Sequence, residues 1–202
     1  MADDQLPDDN PVTIDVPHGH IADVITHLEM CNRPDITIPE SALKIVKWPK
    51  PEPEEYLKLF RAVGERWLWL SRLLMNREEL ISVLHADRNE VFQICSENNP
   101  VGLLELDFKQ TGQCEIGFFG LIPDYNGKGY GKWLMAEALN RAWRPEIKRV
   151  WLHTCTLDSP FALSFYRKAG FKAFKREMSM GPDPRSRGLL PKTAGPHIPQ
   201  IS

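Results

Sequence analysis

The stretch that most constrains this chain is residues 119–132, Phe-Gly-Leu-Ile-Pro-Asp-Tyr-Asn-Gly-Lys-Gly-Tyr-Gly-Lys: an apolar run, a proline stop, then three glycines at alternate positions. It reads as a strand, an anion-binding loop and the opening of a helix. Glycine at 127, 129 and 131 lets the backbone turn tightly and approach a ligand closely. The first N–H groups of the following helix have no intrahelical acceptor and lie at the positive end of the helix dipole, so they suit a phosphate or pyrophosphate. Met135, Ala138, Leu139 and Ala142 recur at i, i+3, i+4 and i+7, which predicts one buried helical face behind the loop.

Two other glycine loops are excluded by spacing. A P-loop needs Gly-Lys followed by Ser or Thr and a glycine further upstream, but Lys128 is followed by Gly129 and the upstream position falls on Ile122 or Pro123. The dinucleotide fingerprint needs a third glycine three residues after the second, and position 132 is Lys.

A chain of 202 residues with 42% hydrophobic content can bury one good core. The expected division is a flexible N-terminus at 1–10, a single domain at 11–180 and a Pro/Gly-rich tail at 181–202, loose or laid over the surface. A formal charge of -2 argues against nucleic acid as a partner, because phosphate-backbone binding draws on clustered Lys and Arg. No run approaches the roughly 18 apolar residues needed to span a bilayer and the acidic N-terminus has no apolar signal region, so no membrane partner and a cytoplasmic location are expected. Cys31, Cys95, Cys114 and Cys155 are widely spaced and read as reduced thiols. His18, His20 and His27 lack an acidic or cysteine partner at ligand spacing, so no metal is expected.

Taken in order, residues 12–16 and 22–30 alternate with period two around a turn at 17–20, which predicts a hairpin. Prolines at 34, 39, 49, 51 and 53 break any long element, and a helix begins near Glu54 with Tyr56, Leu59, Phe60 and Val63 on one face. Asn76 is a candidate cap for a second short helix. Trp67 and Trp69 read as core packing or as lining for a substrate pocket. Three antiparallel strands at 90–96, 101–109 and 114–121 lead into the glycine loop. After the loop helix, residues 149–156 form a near-continuous apolar strand, Ser159 is a candidate cap of a short helix ended by Gly170, and residues 171–180 close the sheet.

Two motifs carry a resemblance. Asn126-Gly127-Lys128-Gly129-Tyr130-Gly131 resembles the acetyl-CoA pyrophosphate loop of the GNAT (Gcn5-related) N-acetyltransferase superfamily, with Asn126 where Arg or Gln is usual. Residues 159–171 resemble its later motif, in which Ala162, Phe165, Tyr166, Gly170 and Phe171 match in place and Ser159 stands where Asn is commoner. The two occur in the right order, separated by one helix and one strand. The resemblance implies an α/β GNAT acyl-CoA N-acyltransferase fold: a mixed, mostly antiparallel sheet flanked by helices, with a splayed parallel strand pair at the cofactor cleft.

It further implies acetyl-CoA as cosubstrate, held by Leu121, Ile122, Asn126, Gly127, Lys128, Gly129, Tyr130, Gly131, Lys132, Ser159 and Ala162, with an oxyanion donor among the backbone N–H groups near Leu121. Tyr166 is implied as general acid to the departing thiolate. Glu115, six residues before Leu121, stands where histone-acetylating members place a base, and equal parity along one strand predicts that it shares Leu121's face. The implied reaction is direct acetyl transfer to a primary amine, on a small molecule or a protein, by a chain that allows a homodimer. The rival expectation is a GNAT-fold module that binds an acyl-CoA and transfers nothing. The acceptor is not legible in the sequence.

Overall fold

The computed structural model describes residues 13–201. The expected flexible segment 1–10, and Val12 at the start of the expected hairpin, lie outside the described residues. The elements in chain order are β1 (His20–Met30), β2 (Leu43–Lys47), α1 (Pro53–Gly64), α2 (Arg77–Leu84), β3 (Asn89–Ser96), β4 (Asn99–Asp107), β5 (Gln113–Leu121), α3 (Tyr130–Ala142), β6 (Arg149–Cys155), α4 (Ala162–Lys168) and β7 (Lys172–Pro182). The strands form one seven-stranded sheet in the order β2-β3-β4-β5-β6-β1-β7, antiparallel throughout except for β5 beside β6.

Alternation along β4 and β5 sorts the helices onto two faces. Leu103 and Phe118 join Tyr56, Leu59, Phe60 and Val63 of α1 with Leu80 and Leu84 of α2. Leu104, Leu106, Ile116 and Leu121 join Trp133, Leu134, Ala138 and Ala142 of α3, with Phe165 and Tyr166 of α4 packed alongside. Truncating a side chain such as the fully buried Leu104 to Ala would cost about 2–5 kcal/mol. On the α1 face Glu105 is 1% exposed, and a buried charge of this kind needs partners. It has two: the Tyr56 hydroxyl, and Arg72 Nη2 at 2.8 Å. Arg72 lies 4.9 Å from the Phe118 ring centroid, so this network fixes the 65–76 connection against β5.

The helices start where their caps allow. Pro53 opens α1, and Asn76 caps α2 in a capping box with Glu79, each side chain bonding the other's backbone N–H. The expected hairpin is replaced by a different arrangement. Residues 13–17 are not strand, because β1 is paired on one edge by β6 and on the other by β7, which leaves a neighbouring arm no edge to join. A short strand that the prolines obscured, β2, pairs with β3 between Pro39 and Pro49.

Candidate active site

The sheet opens at its parallel pair. β5 and β6 are in register only from Gln113–Arg149 to Glu115–Trp151; beyond that β5 continues to Leu121 against β4 alone, and β6 continues against β1 alone. Successive backbone N–H groups alternate in direction along a strand, so those of β5 beyond Glu115 that do not bond β4 face the gap.

Gly117 alters which side chains face it. Glu105 pairs with Phe118 and Leu106 with Ile116, which leaves Gly117 as an extra residue in β5. This bulge resets the alternation: Cys114, Ile116 and Leu121 pack on the α3 face, with Phe119 against them, whereas Phe118 packs on the α1 face. A Cβ at Gly120 would meet Val63 and Trp69, so it too faces α1. Glu115 therefore lies on the α1 face and not on Leu121's, contrary to the parity argument, because one inserted residue reverses every later side chain.

At the mouth of the gap is the glycine loop. Gly127 (φ 75°) and Gly129 (φ 85°) are left-handed, a conformation that side-chain-bearing residues rarely adopt, and Gly129 caps α3. Gly131 is an ordinary helical residue whose added Cβ would sit 3.6 Å from the Phe165 ring, so its backbone does not demand glycine. Lys132 N–H donates to the Gly129 carbonyl at 3.2 Å. The N–H groups of Gly127, Lys128, Gly129, Tyr130 and Gly131 bond no other described residue. Unspent donors at the start of a 13-residue helix are the arrangement that suits an anion. Asn126 is exposed, and Lys128 Nζ is 5.5 Å from the Tyr125 ring centroid. Leu121 is buried at the end of β5, and Ile122 N–H is tied to the Val101 carbonyl at 2.9 Å, which fixes the exit of the strand into the loop.

Tyr166 lies across the gap on the α3 face. Its ring packs edge-on against Phe119, Phe165 and Phe171, and its hydroxyl bonds no described residue. Burial, and then the Asp158 carboxylate, push the phenol above its usual value, so it is a protonated donor at neutral pH. Asp158 is itself held by Thr154 Oγ1 at 2.7 Å and Cys155 N–H at 3.0 Å. Ser159 Oγ accepts from Phe161 N–H at 3.4 Å, and the Ser159 carbonyl accepts from Ala162 N–H. α4 thus begins at Ala162, later than the cap reading of Ser159 implied.

On the α1 face Glu115 Oε1 is 3.4 Å from His153 Nδ1 of β6. The carboxylate holds the imidazole above its ordinary value, against a smaller opposing effect of burial. Asp23 of β1 lies within electrostatic reach of both His153 and Asp158, and its carboxyl is raised by burial first and then by Asp158. The sequence reading missed His153, Asp23 and Asp158. Only β6 carried a signal, since Trp151 and His153 alternate there with the buried Val150, Leu152 and Thr154. Trp69 packs between Phe60 and Phe118 at ring separations of 5.4 and 5.0 Å, as part of the wall beside β5. Two thiols are unactivated: burial raises Cys114, and burial followed by Asp158 raises Cys155 to about 12. Among the described residues no three His, Cys, Asp or Glu side chains group as metal ligands.

The acetyltransferase (GNAT) family model matches residues 44–171. No curated protein matches. Among solved structures, a GCN5-related N-acetyltransferase from Sphaerobacter thermophilus is similar at TM-score 0.62 and 16% identity, over 81% of this chain and 53% of that one. A functionally unknown conserved protein from Staphylococcus epidermidis is similar at TM-score 0.57 and 15% identity, over 82% of this chain and 63% of that one. An aminoglycoside acetyltransferase from an uncultured soil metagenomic sample, in complex with sisomicin, is similar at TM-score 0.52 and 20% identity, over 63% of this chain and 87% of that one. The chain thus spans 53–63% of the length of the first two and most of the third. At these identities the likeness is one of fold: a mixed sheet, opened at one parallel pair and flanked by helices. With the family matched over more than half its length, the chain belongs to the GNAT acetyltransferase family.

Proposed function

We propose that this protein transfers the acetyl group of acetyl-CoA directly to a primary amine. The observation that carries the reading is the cradle of unpaired N–H groups from Gly127 to Gly131, at the mouth of a gap with Tyr166 on one side and Glu115 on the other. Residues 126–132 would hold the pyrophosphate, with Ser159 and Ala162 at the α4 side of the cofactor. Bound there, acetyl-CoA supplies an activated thioester. An alkylammonium with a pKa of about 10.4 is neutral in only about one molecule in a few thousand at pH 7, so its proton must be drawn off. Glu115 does this on the α1 face, directly or through water, beside His153. N–H groups on the free edge of β5 near Leu121 stabilise the developing oxyanion, and the Tyr166 phenol protonates the leaving sulfur. Attack through a cysteine is disfavoured, because Cys114 and Cys155 are held as neutral thiols.

The test is incubation of the protein with acetyl-CoA and pools of small-molecule and peptide amines, followed by mass spectrometry for acetylated product and a colour assay for free CoA. Acetylated amine with stoichiometric CoA release is expected. Tight CoA binding without transfer to any amine would replace this reading with that of an acyl-CoA-binding module.

A further inference from the structure

Residues 183–201 contain no helix or strand, yet they are fixed around one buried arginine. Arg185 is 4% exposed; its Nη2 donates to Asp183 Oδ2 at 2.7 Å and its Nε to Asp183 Oδ1 at 3.0 Å. Its Nη1 donates to the carbonyls of Ala194, Gly195 and Ile198 at 3.1, 3.4 and 2.9 Å. Leu190 and Ala194 are buried against Leu68, and a Cβ at Gly195 would come within 2.7 Å of the Leu68 side chain. Further along, His197 Nε2 is 2.9 Å from the Leu157 carbonyl, just past β6. The segment therefore reaches from the α1 side of the sheet to the end of β6.

Between this segment and the last turn of α1 lies a cavity of about 200 Å³, lined chiefly by Arg61, Glu65, Arg66, Pro123, Thr193 and Gly195. Pro123 begins the connection from β5 to the glycine loop, so the cavity borders the proposed cofactor path. Among the described residues neither Arg61 nor Arg66 forms an ion pair, and Arg66 lies over the Trp67 ring at 5.5 Å from its centroid. Two guanidinium groups against the one carboxylate of Glu65 leave the lining net positive. Guanidinium forks match carboxylate and phosphate oxygens, and Thr193 adds a hydroxyl donor. A wall already fixed by the buried Arg185 need not be ordered when a ligand binds.

We propose that this cavity is an anion subsite in which Arg61 and Arg66 hold a carboxylate or phosphate of the bound substrates. Resting on the amine-acetylation reading, it makes the preferred acceptor an amine that also carries an anionic group. A phosphate of the cofactor offers the same chemistry, and the binding experiment separates the two sources.

Calorimetry on the wild type and on an Arg61→Ala/Arg66→Ala variant would use CoA, 3′-dephospho-CoA and, at saturating CoA, amines matched in pairs with and without a carboxylate. Both arginines are exposed, so folding should be retained; Arg66→Gln alone repeats the comparison with a smaller change. The expected result is about a 10-fold or greater loss of affinity for the carboxylated amines alone, with CoA affinity unchanged. A comparable loss for CoA but not for its dephospho form supports the subsite and assigns it to the cofactor's 3′-phosphate. Equal affinities of both proteins for every titrant, or no preference of the wild type for any anionic form, would overturn it. Because binding is read rather than turnover, failure of acetyl transfer does not decide this outcome.

Discussion

Tyr166 and Glu115 sit on opposite faces of the opened sheet, and each has one diagnostic substitution. Tyr166→Phe keeps the ring packing against Phe119 and Phe171 and removes only a hydroxyl that bonds no described residue. The expected outcome in steady-state kinetics is a kcat lowered about 10-fold to 100-fold, or about 1.4–2.7 kcal/mol of barrier, at unchanged CoA affinity. Glu115→Gln should lower kcat/KM and regain part of the loss at higher pH, where more of the amine is already neutral. The same variant should move His153: the Glu115 carboxylate favours the imidazolium, so its loss must bring the His153 pKa down, visible in the proton NMR titration of the ring. A raised histidine pKa also has a stability sign. The pair stabilises the fold fully below about pH 6.5, and that contribution disappears as pH rises through the raised value. Tyr166 was legible from its place in a motif, whereas His153 was not, since a contact between β5 and β6 depends on how two distant strands pair.

The elements around the loop divide into those that local chemistry specifies and those that a neighbour decides. The strand–loop–α3 unit, the Asn76 cap and the Gly170 stop are local, because each depends on residues within one or two turns of chain. Gly127 and Gly129 need a left-handed backbone, so Gly129→Val should cost about 1–2 kcal/mol in denaturant titration and remove most of the thermal shift produced by CoA. Gly131 carries no such demand. Gly131→Ala should leave the melting temperature equal or higher, by up to about 1 kcal/mol of helix propensity, because its Cβ meets Phe165 at an ordinary distance. Equal loss of CoA binding in both variants would mean that open space at the helix start, rather than loop conformation, holds the phosphates. The bulge at Gly117 belongs to the second class: a glycine in a strand is compatible with a bulge, but only pairing with β4 shows that Glu115 and Leu121 part company there.

At the scale of the whole molecule, segments far apart in sequence are brought together. β1 fills the slot between β6 and β7, and residues 183–201 are held by the Asp183–Arg185 pair. Arg185→Met removes one partner of a buried pair and leaves Asp183 exposed to the full desolvation cost, so a loss of about 3–5 kcal/mol is expected by denaturant titration. Bonding to Arg185 holds the Asp183 carboxyl below its ordinary range; the stability it lends is present above about pH 4 and is lost as pH falls through the depressed value. The sequence by itself determined the pieces whose information is short-range: the glycine loop that opens α3, the caps and stops of the helices, and hence the family. Only the tertiary structure decided that β1 is an interior strand, that Glu115 meets His153, and that the proline-rich segment packs around a buried Arg185. The physical reason is that hydrogen-bond periodicity and capping are written over a few residues, whereas the strands that close an open edge can lie more than a hundred residues away, as β6 and β7 do from β1.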